Sequence, residues 1–180
     1  MRLFIAVNFP DEVKKTILDV QEQLCLQTVR GSFTRPENLH LTLAFLGETP
    51  EEKLPCLFKI MEKIQPSPFE VIFNYTGYFS HSHKELWWIG ADKCSPGISM
   101  LDSIHAQLLT ELPDAGFSVD KRPYNAHITL GREIKHSSPI TLECPEIKVA
   151  VHNVSLMKSE RIRGILTYTE LFKESELKNP

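Results

Sequence analysis

Two short stretches of this 180-residue chain hold side chains suited to acid–base chemistry, His40-Leu41-Thr42-Leu43 and His127-Ile128-Thr129-Leu130. In a strand, successive side chains point to opposite faces, so each His shares a face with the Thr two places on. Leu41, Leu43, Ile128 and Leu130 then fall on the other face, where they can enter a core. Imidazole titrates near neutral pH and can give or take a proton. A threonine hydroxyl can donate to an oxygen on which charge is building. Phosphodiester cleavage needs a base for the attacking oxygen, an acid for the leaving oxygen and donors for the nonbridging oxygens. Two such strands facing one another would supply all of these. Seven His and eleven Thr placed at random in this chain would give fewer than one His-x-Thr triplet. Two triplets, each with an apolar middle residue and a following Leu, read as a repeat with a purpose.

The elements that must position these residues follow from the pattern. Residues 2–8 read as a strand apolar on both faces. Asp11 is expected to cap a helix with Val13, Ile17, Val20 and Leu24 at helical spacing. Arg35 to Asn38 read as a turn, and the first motif strand then runs from His40 to Leu46 and ends at Gly47. Thr49, Pro50 and Glu52 fit N-cap, N1 and N3 of a capping box, with Leu54, Leu57, Phe58, Met61 and Ile64 as the buried stripe. Residues 69–79 and 85–90 read as strands around the turn Ser80 to Lys84, and residues 97–112 as a helix closed by Gly116. The second motif strand follows Lys121-Arg122-Pro123. Two last strands, about 147–157 and 165–172, are joined by a basic turn from Ser159 to Gly164. This order predicts an α+β fold with largely antiparallel sheet, not a doubly wound one. No glycine-rich phosphate loop is present.

With these motifs in place, the chain resembles the two-histidine phosphoesterase superfamily, and within it the RNA 2′,3′-cyclic phosphodiesterases, also called 2′-5′ RNA ligase-like proteins. The likeness covers nearly the whole length, through MRLFIAVNFP, RPENLHLTLAFLGE, AHITLGR and SLMKSERIRGILTYTEL. It implies one bilobed domain over residues 1–180, with pseudo-symmetric antiparallel sheets, outer helices and one motif strand per lobe facing a central cleft. It further implies hydrolysis of an RNA-terminal 2′,3′-cyclic phosphate to a 2′-phosphate, with no metal and no cofactor. Carried over residue by residue, His40 and His127 become the acid–base pair, His127 activating water and His40 protonating O3′. Thr42 and Thr129 become phosphate clamps. Arg132 matches a family arginine near the phosphate, and Phe79 a loop aromatic near the base. Ala126 stands where the family usually has proline, a departure that bears on the loop entering the second motif.

Other candidates carry less. Trp87 and Trp88 are adjacent, so one is expected to face the core and the other the cleft. His81 and His83 have the spacing of a metal pair but sit in a polar turn without acidic neighbours, which favours a solvated turn. Arg161, Arg163 and Lys121-Arg122 could steer an RNA backbone, though solvated charge is the default reading. Twenty basic against 23 acidic residues leave a net charge of −3, which disfavours a broad basic cradle for long nucleic acid. A strand end or a local phosphate site is the expected RNA partner. Four scattered cysteines without a CxxC pair, and no membrane-length apolar run, suggest a reducing cytoplasm, and the acidic, patch-poor composition suggests a monomer. Two alternatives are kept open. One is the reverse reaction, joining ends through a 2′-5′ bond, which ~55 M water disfavours. The other is a binding module without turnover, for which two titrating groups would be superfluous.

Overall fold

The computed structural model describes residues 1–82, 84–120 and 122–172; His83 and Lys121, singled out above, lie outside them. In chain order the elements are β1 (Arg2–Asn8), α1 (Asp11–Leu26), β2 (Arg30–Phe33), β3 (His40–Glu48), α2 (Leu54–Lys63), β4 (Phe69–His81) and β5 (Lys84–Ala91), then α3 (Ile98–Asp114), β6 (His127–Lys135), β7 (Ile147–Val151), β8 (Ser155–Ile162) and β9 (Ile165–Phe172). The strands form one antiparallel sheet in the order β7-β4-β5-β6-β3-β1-β8-β9, with β2 added on β6. Each half is a run of four strands whose innermost member carries one His-x-Thr motif, which is the pseudo-symmetry that the family resemblance implied, on the α+β antiparallel fold expected from the sequence pattern.

The helices cover one face of this sheet. Ile17, Val20 and Leu24 of α1, Leu57 of α2, and Leu101, Leu108 and Leu112 of α3 share a core with Leu41, Leu43, Ile128 and Leu130. The motif leucines and Ile128 are at most 2% exposed, so both motif strands are pinned in register by their apolar face. His40, Thr42, His127 and Thr129 are thereby turned to the face without helices. Phe4, Ala6 and Met157 make a separate small cluster on that side, with Tyr168 packed against it.

One edge of β6 is shared. Leu41 pairs with Ile128, while Ser32 and Phe33 of β2 pair with Arg132 and Gly131 further along the same edge. The Thr34 N–H donates to the Leu130 carbonyl, after which the chain leaves the sheet through a 3₁₀ turn, Pro36–Asn38, and returns as β3. Thus β2 and β3 act as one interrupted strand, and the excursion between them opens a cleft beside the motifs. Gln21 of α1 braces the junction, its Nε2 donating to the carbonyls of both Thr34 and Leu130 at 2.8 Å.

Three local expectations are corrected. Pro10, not Asp11, occupies the N-cap of α1, and no side chain caps it; Asp11 and Glu12 instead place negative charge in the first turn. The capping box at Thr49 does not form, because Thr49 and Met1 exchange backbone bonds (Thr49 N to Met1 O 2.7 Å, Met1 N to Thr49 O 2.8 Å). A 3₁₀ turn, Glu51–Lys53, precedes α2, which places Pro55 in the first turn of that helix, where proline is tolerated. The run 147–157 is two strands: β7 lies at one edge of the sheet, while β8 lies in the other half. No helix among the described residues is long and apolar enough to cross a membrane.

Candidate active site

β3 and β6 open with the same alternation, their first and third residues partly exposed and their second and fourth buried. Extending the Leu41–Ile128 register by one residue each way puts His40 across from Thr129 and Thr42 across from His127. The four polar side chains therefore alternate around one point at the centre of the sheet.

Each imidazole is held in the same way. His40 Nδ1 lies 2.7 Å from the Asn38 carbonyl, and His127 Nδ1 lies 2.6 Å from the Asn125 carbonyl. A carbonyl can only accept, so Nδ1 carries the hydrogen in both rings and Nε2 is left for chemistry. His40 Nε2 lies 2.9 Å from Thr42 Oγ1, so the neutral ring accepts that hydroxyl. The duplicated unit is thus longer than the sequence reading took it to be: Asn38-Leu39-His40-Leu41-Thr42 and Asn125-Ala126-His127-Ile128-Thr129. The Asn two places before each His was a visible signal. Ala126 is buried and the Asn125 carbonyl still meets its imidazole, so the absence of proline there leaves the His127 geometry matched to that of His40.

Burial pushes His40 down to about 4 despite the pull of the Asn38 carbonyl, and the charges of Arg132 and His127 add to the depression. His127 is lowered by burial as well, with Arg132 again contributing. Arg132 therefore acts on both rings. Its side chain lines a cavity of about 250 Å³ together with His40 and Thr129. The rest of that wall comes from the β2–β3 excursion (Phe33, Arg35, Asn38) and from the β8–β9 hairpin (Arg161, Leu166, Tyr168). Tyr168 meets the His40 ring edge-on at 5.3 Å, and Phe4 lies 4.9 Å from it. Neither had a signal in the sequence, because each gains its place only through strand pairing.

On the opposite flank, Phe79 meets His127 edge-on at 5.4 Å and packs on Trp88 at 5.2 Å. Phe79 is 44% exposed. Trp88 lies 6.0 Å from His127, whereas Trp87 joins the core and donates its Nε1–H to Glu85 at 2.8 Å. The expected division between the tryptophans is what the strand alternation produces. Gly77 leaves room for the Trp88 ring, since a Cβ there would lie 2.5 Å from it. Tyr124, just before the second motif, donates to the Thr42 carbonyl at 3.2 Å and so ties the two motif segments together.

The six residues expected from the sequence thus gather on one face at the junction of the two halves. His40, Thr129 and Arg132 line the cavity; Thr42 is bonded to His40; His127 and Phe79 form the far flank. Among the described residues no three His, Cys, Asp or Glu side chains converge as metal ligands would. The arrangement can hold an anionic phosphorus centre between two imidazoles, with hydroxyls and one guanidinium for its oxygens.

Comparison with known proteins agrees with this geometry. A family model described as LigT-like phosphoesterase matches residues 7–88. The chain is 35% identical over 133 residues to a protein of Methanocaldococcus jannaschii named RNA 2′,3′-cyclic phosphodiesterase, covering 73% of this chain and 71% of that one. It is 30% identical to the Escherichia coli protein of the same name, over 94% of this chain and 93% of the other. The crystal structure of E. coli LigT complexed with 3′-AMP matches with a TM-score of 0.82 at 28% identity, over 95% of each chain. A whole-length match of fold, together with relatives at 30% identity or more, makes this chain a member of the LigT-like family of two-histidine phosphoesterases.

Proposed function

We propose that the protein hydrolyses a 2′,3′-cyclic phosphate at the end of RNA to a 2′-phosphate, without a metal ion. His127 Nε2 takes a proton from water as its oxygen attacks phosphorus. The P–O3′ bond breaks, and His40 Nε2–H delivers a proton to O3′, leaving a 3′-hydroxyl and a 2′-monoester. Thr42 and Thr129 donate to the nonbridging oxygens, and Arg132 offsets the charge that accumulates there. The acid and base roles follow the family resemblance.

The observation that carries this reading is the matched pair of imidazoles, each with Nδ1 fixed by a carbonyl two residues earlier and with Arg132 acting on both. A single base would need only one such ring. His40 near 4 is a poor proton donor in the empty site. An anionic phosphate against Arg132 offsets part of the positive charge that Arg132 exerts on His40 and adds a negative neighbour, so binding itself raises this group toward its working range. The activity for which the relatives are named and the LigT structure with 3′-AMP support an RNA-end substrate.

The test is turnover of an RNA with a 2′,3′-cyclic phosphate end by His40→Ala and His127→Ala. Each variant is expected to lose roughly 10²–10⁴-fold in kcat while still binding a phosphate-ended oligonucleotide. Parallel loss of binding and turnover would instead favour a binding module.

A further inference from the structure

We infer that the cavity beside His40 takes the terminal nucleoside, and that Arg161 at its rim contacts the next phosphodiester toward the 5′ end. The protein would then act preferentially on oligonucleotide ends over free cyclic mononucleotides. This rests on the reaction proposed above, because in-line displacement puts the attacking water and O3′ on opposite sides of phosphorus. With His127 serving the water and His40 serving O3′, the ribose lies on the His40 side. The cavity is lined by His40 and not by His127, against which Phe79 and Trp88 pack instead.

The walls suit a nucleoside. Leu166 and Tyr168 offer apolar and aromatic surface. Asn38, 5% exposed, lines the inner wall; its Nδ2 donates to the Leu166 carbonyl at 2.9 Å, but its Oδ1 is buried with no donor among the described residues. A volume of about 250 Å³ holds one nucleoside, so a longer chain must leave through the mouth.

Three guanidiniums line this cavity in a protein of net charge −3. Arg132 belongs to the reacting phosphate, and Arg35 is paired with Glu37. Arg161 has no carboxylate partner among the described residues; its Nη1 donates to the Gly164 carbonyl at 2.9 Å. That bond spans a two-residue turn, Arg163-Gly164, in which both residues have positive φ (52° and 83°), the conformation of a tight hairpin. Arg161 is therefore a positioned, uncompensated cation at the mouth, where an emerging strand carries its next phosphate.

The experiment compares kcat/KM for a short RNA ending in a 2′,3′-cyclic phosphate with that for the corresponding cyclic mononucleotide. It also compares the affinities of a 3′-phosphate-ended oligonucleotide and a 3′-mononucleotide, which need no turnover. The wild type should favour the longer molecule in both. Arg161→Gln should lower that preference about tenfold, as loss of a charge-assisted contact does. Arg163→Asn, which removes equal charge from a residue outside the cavity and tolerates positive φ, should keep it. No preference in the wild type, or equal losses in the two variants, would overturn the assignment. If neither cyclic substrate turns over, the proposed reaction fails, and the ratio of affinities still decides the role of Arg161.

Discussion

Leu41 sits opposite Ile128, the one register pair between β3 and β6 among the described residues, at the centre of the sheet. Beyond it, β2 takes the β6 edge and β3 turns away, which opens the cleft while the two motifs stay side by side. Both side chains are at most 1% exposed and lie in the main core. Ile128→Ala should therefore cost about 2–5 kcal/mol in urea unfolding. Leu26→Ala, at a residue 82% exposed, should stay within about 0.5 kcal/mol. A cost below about 1 kcal/mol for Ile128→Ala would mean that the halves are held elsewhere.

The depressed histidines set the response of stability to acid. Both rings have folded-state values below the usual 6.5, that of His40 reaching about 4, so below pH 6.5 the unfolded chain binds more protons than the native one. Stability should hold above pH 6.5 and fall as pH drops toward 4, with His40 responsible for up to about 3 kcal/mol. Urea midpoints at pH 7 and pH 4.5 should show the drop, and His40→Gln should shrink it. A variant with an unchanged pH profile would show that His40 is not buried neutral.

Inorganic phosphate should reverse the depression. In histidine C2–H NMR titrations, His40 should move up from about 4 on saturation with phosphate, and by linkage the anion should bind more tightly as pH falls below 7. Arg132→Gln should weaken that binding and, by removing a positive neighbour, raise both histidines in the empty protein. Histidines indifferent to phosphate would place the anion elsewhere.

The assignment of acid and base can be read with a substrate whose 3′ oxygen is replaced by sulfur. A thiolate leaves without a proton, so His40→Ala should recover most of its roughly 10²–10⁴-fold deficit on that substrate. His127→Ala should not recover. Recovery in His127→Ala alone would exchange the two roles.

Thr42 should show itself by its hydroxyl alone. Thr42→Val keeps the shape, and kcat/KM should fall by roughly 10–100-fold for loss of a donor to charged oxygen, with little change in folding stability. Thr42→Ser should recover most of the activity. Equal losses for Ser and Val would mean that packing, not donation, is what Thr42 provides.

The motif strands were legible in the sequence because their alternation is strict: Leu41, Leu43, Ile128 and Leu130 mark one face, and the four polar residues mark the other. β2 was not, since Arg30 to Ser32 are exposed and show no period-two pattern; it exists by pairing with β6, where Gly31 lies so close that a Cβ would meet the Ile134 side chain at 2.4 Å. The break between β7 and β8 falls at His152 to Val154, a step too short to stand out between two apolar stretches, and the sheet order is what separates its parts. The failed cap at Thr49 has a similar cause: a ladder bond to Met1, distant in sequence, takes the backbone that the cap would need. Tyr168, Phe4 and Gln21 join the site through contacts too distant in sequence for local spacing to reveal.

Phosphorus NMR of a short RNA ending in a 2′,3′-cyclic phosphate, incubated with the protein in excess EDTA, tests the metal-free two-histidine reaction most directly. The cyclic signal should be replaced by a 2′-monophosphate, and the change should vanish in His40→Ala and His127→Ala. A signal that persists in EDTA and converts only when a divalent metal is restored would contradict that mechanism, and a 3′-monophosphate product would contradict the bond assigned to break.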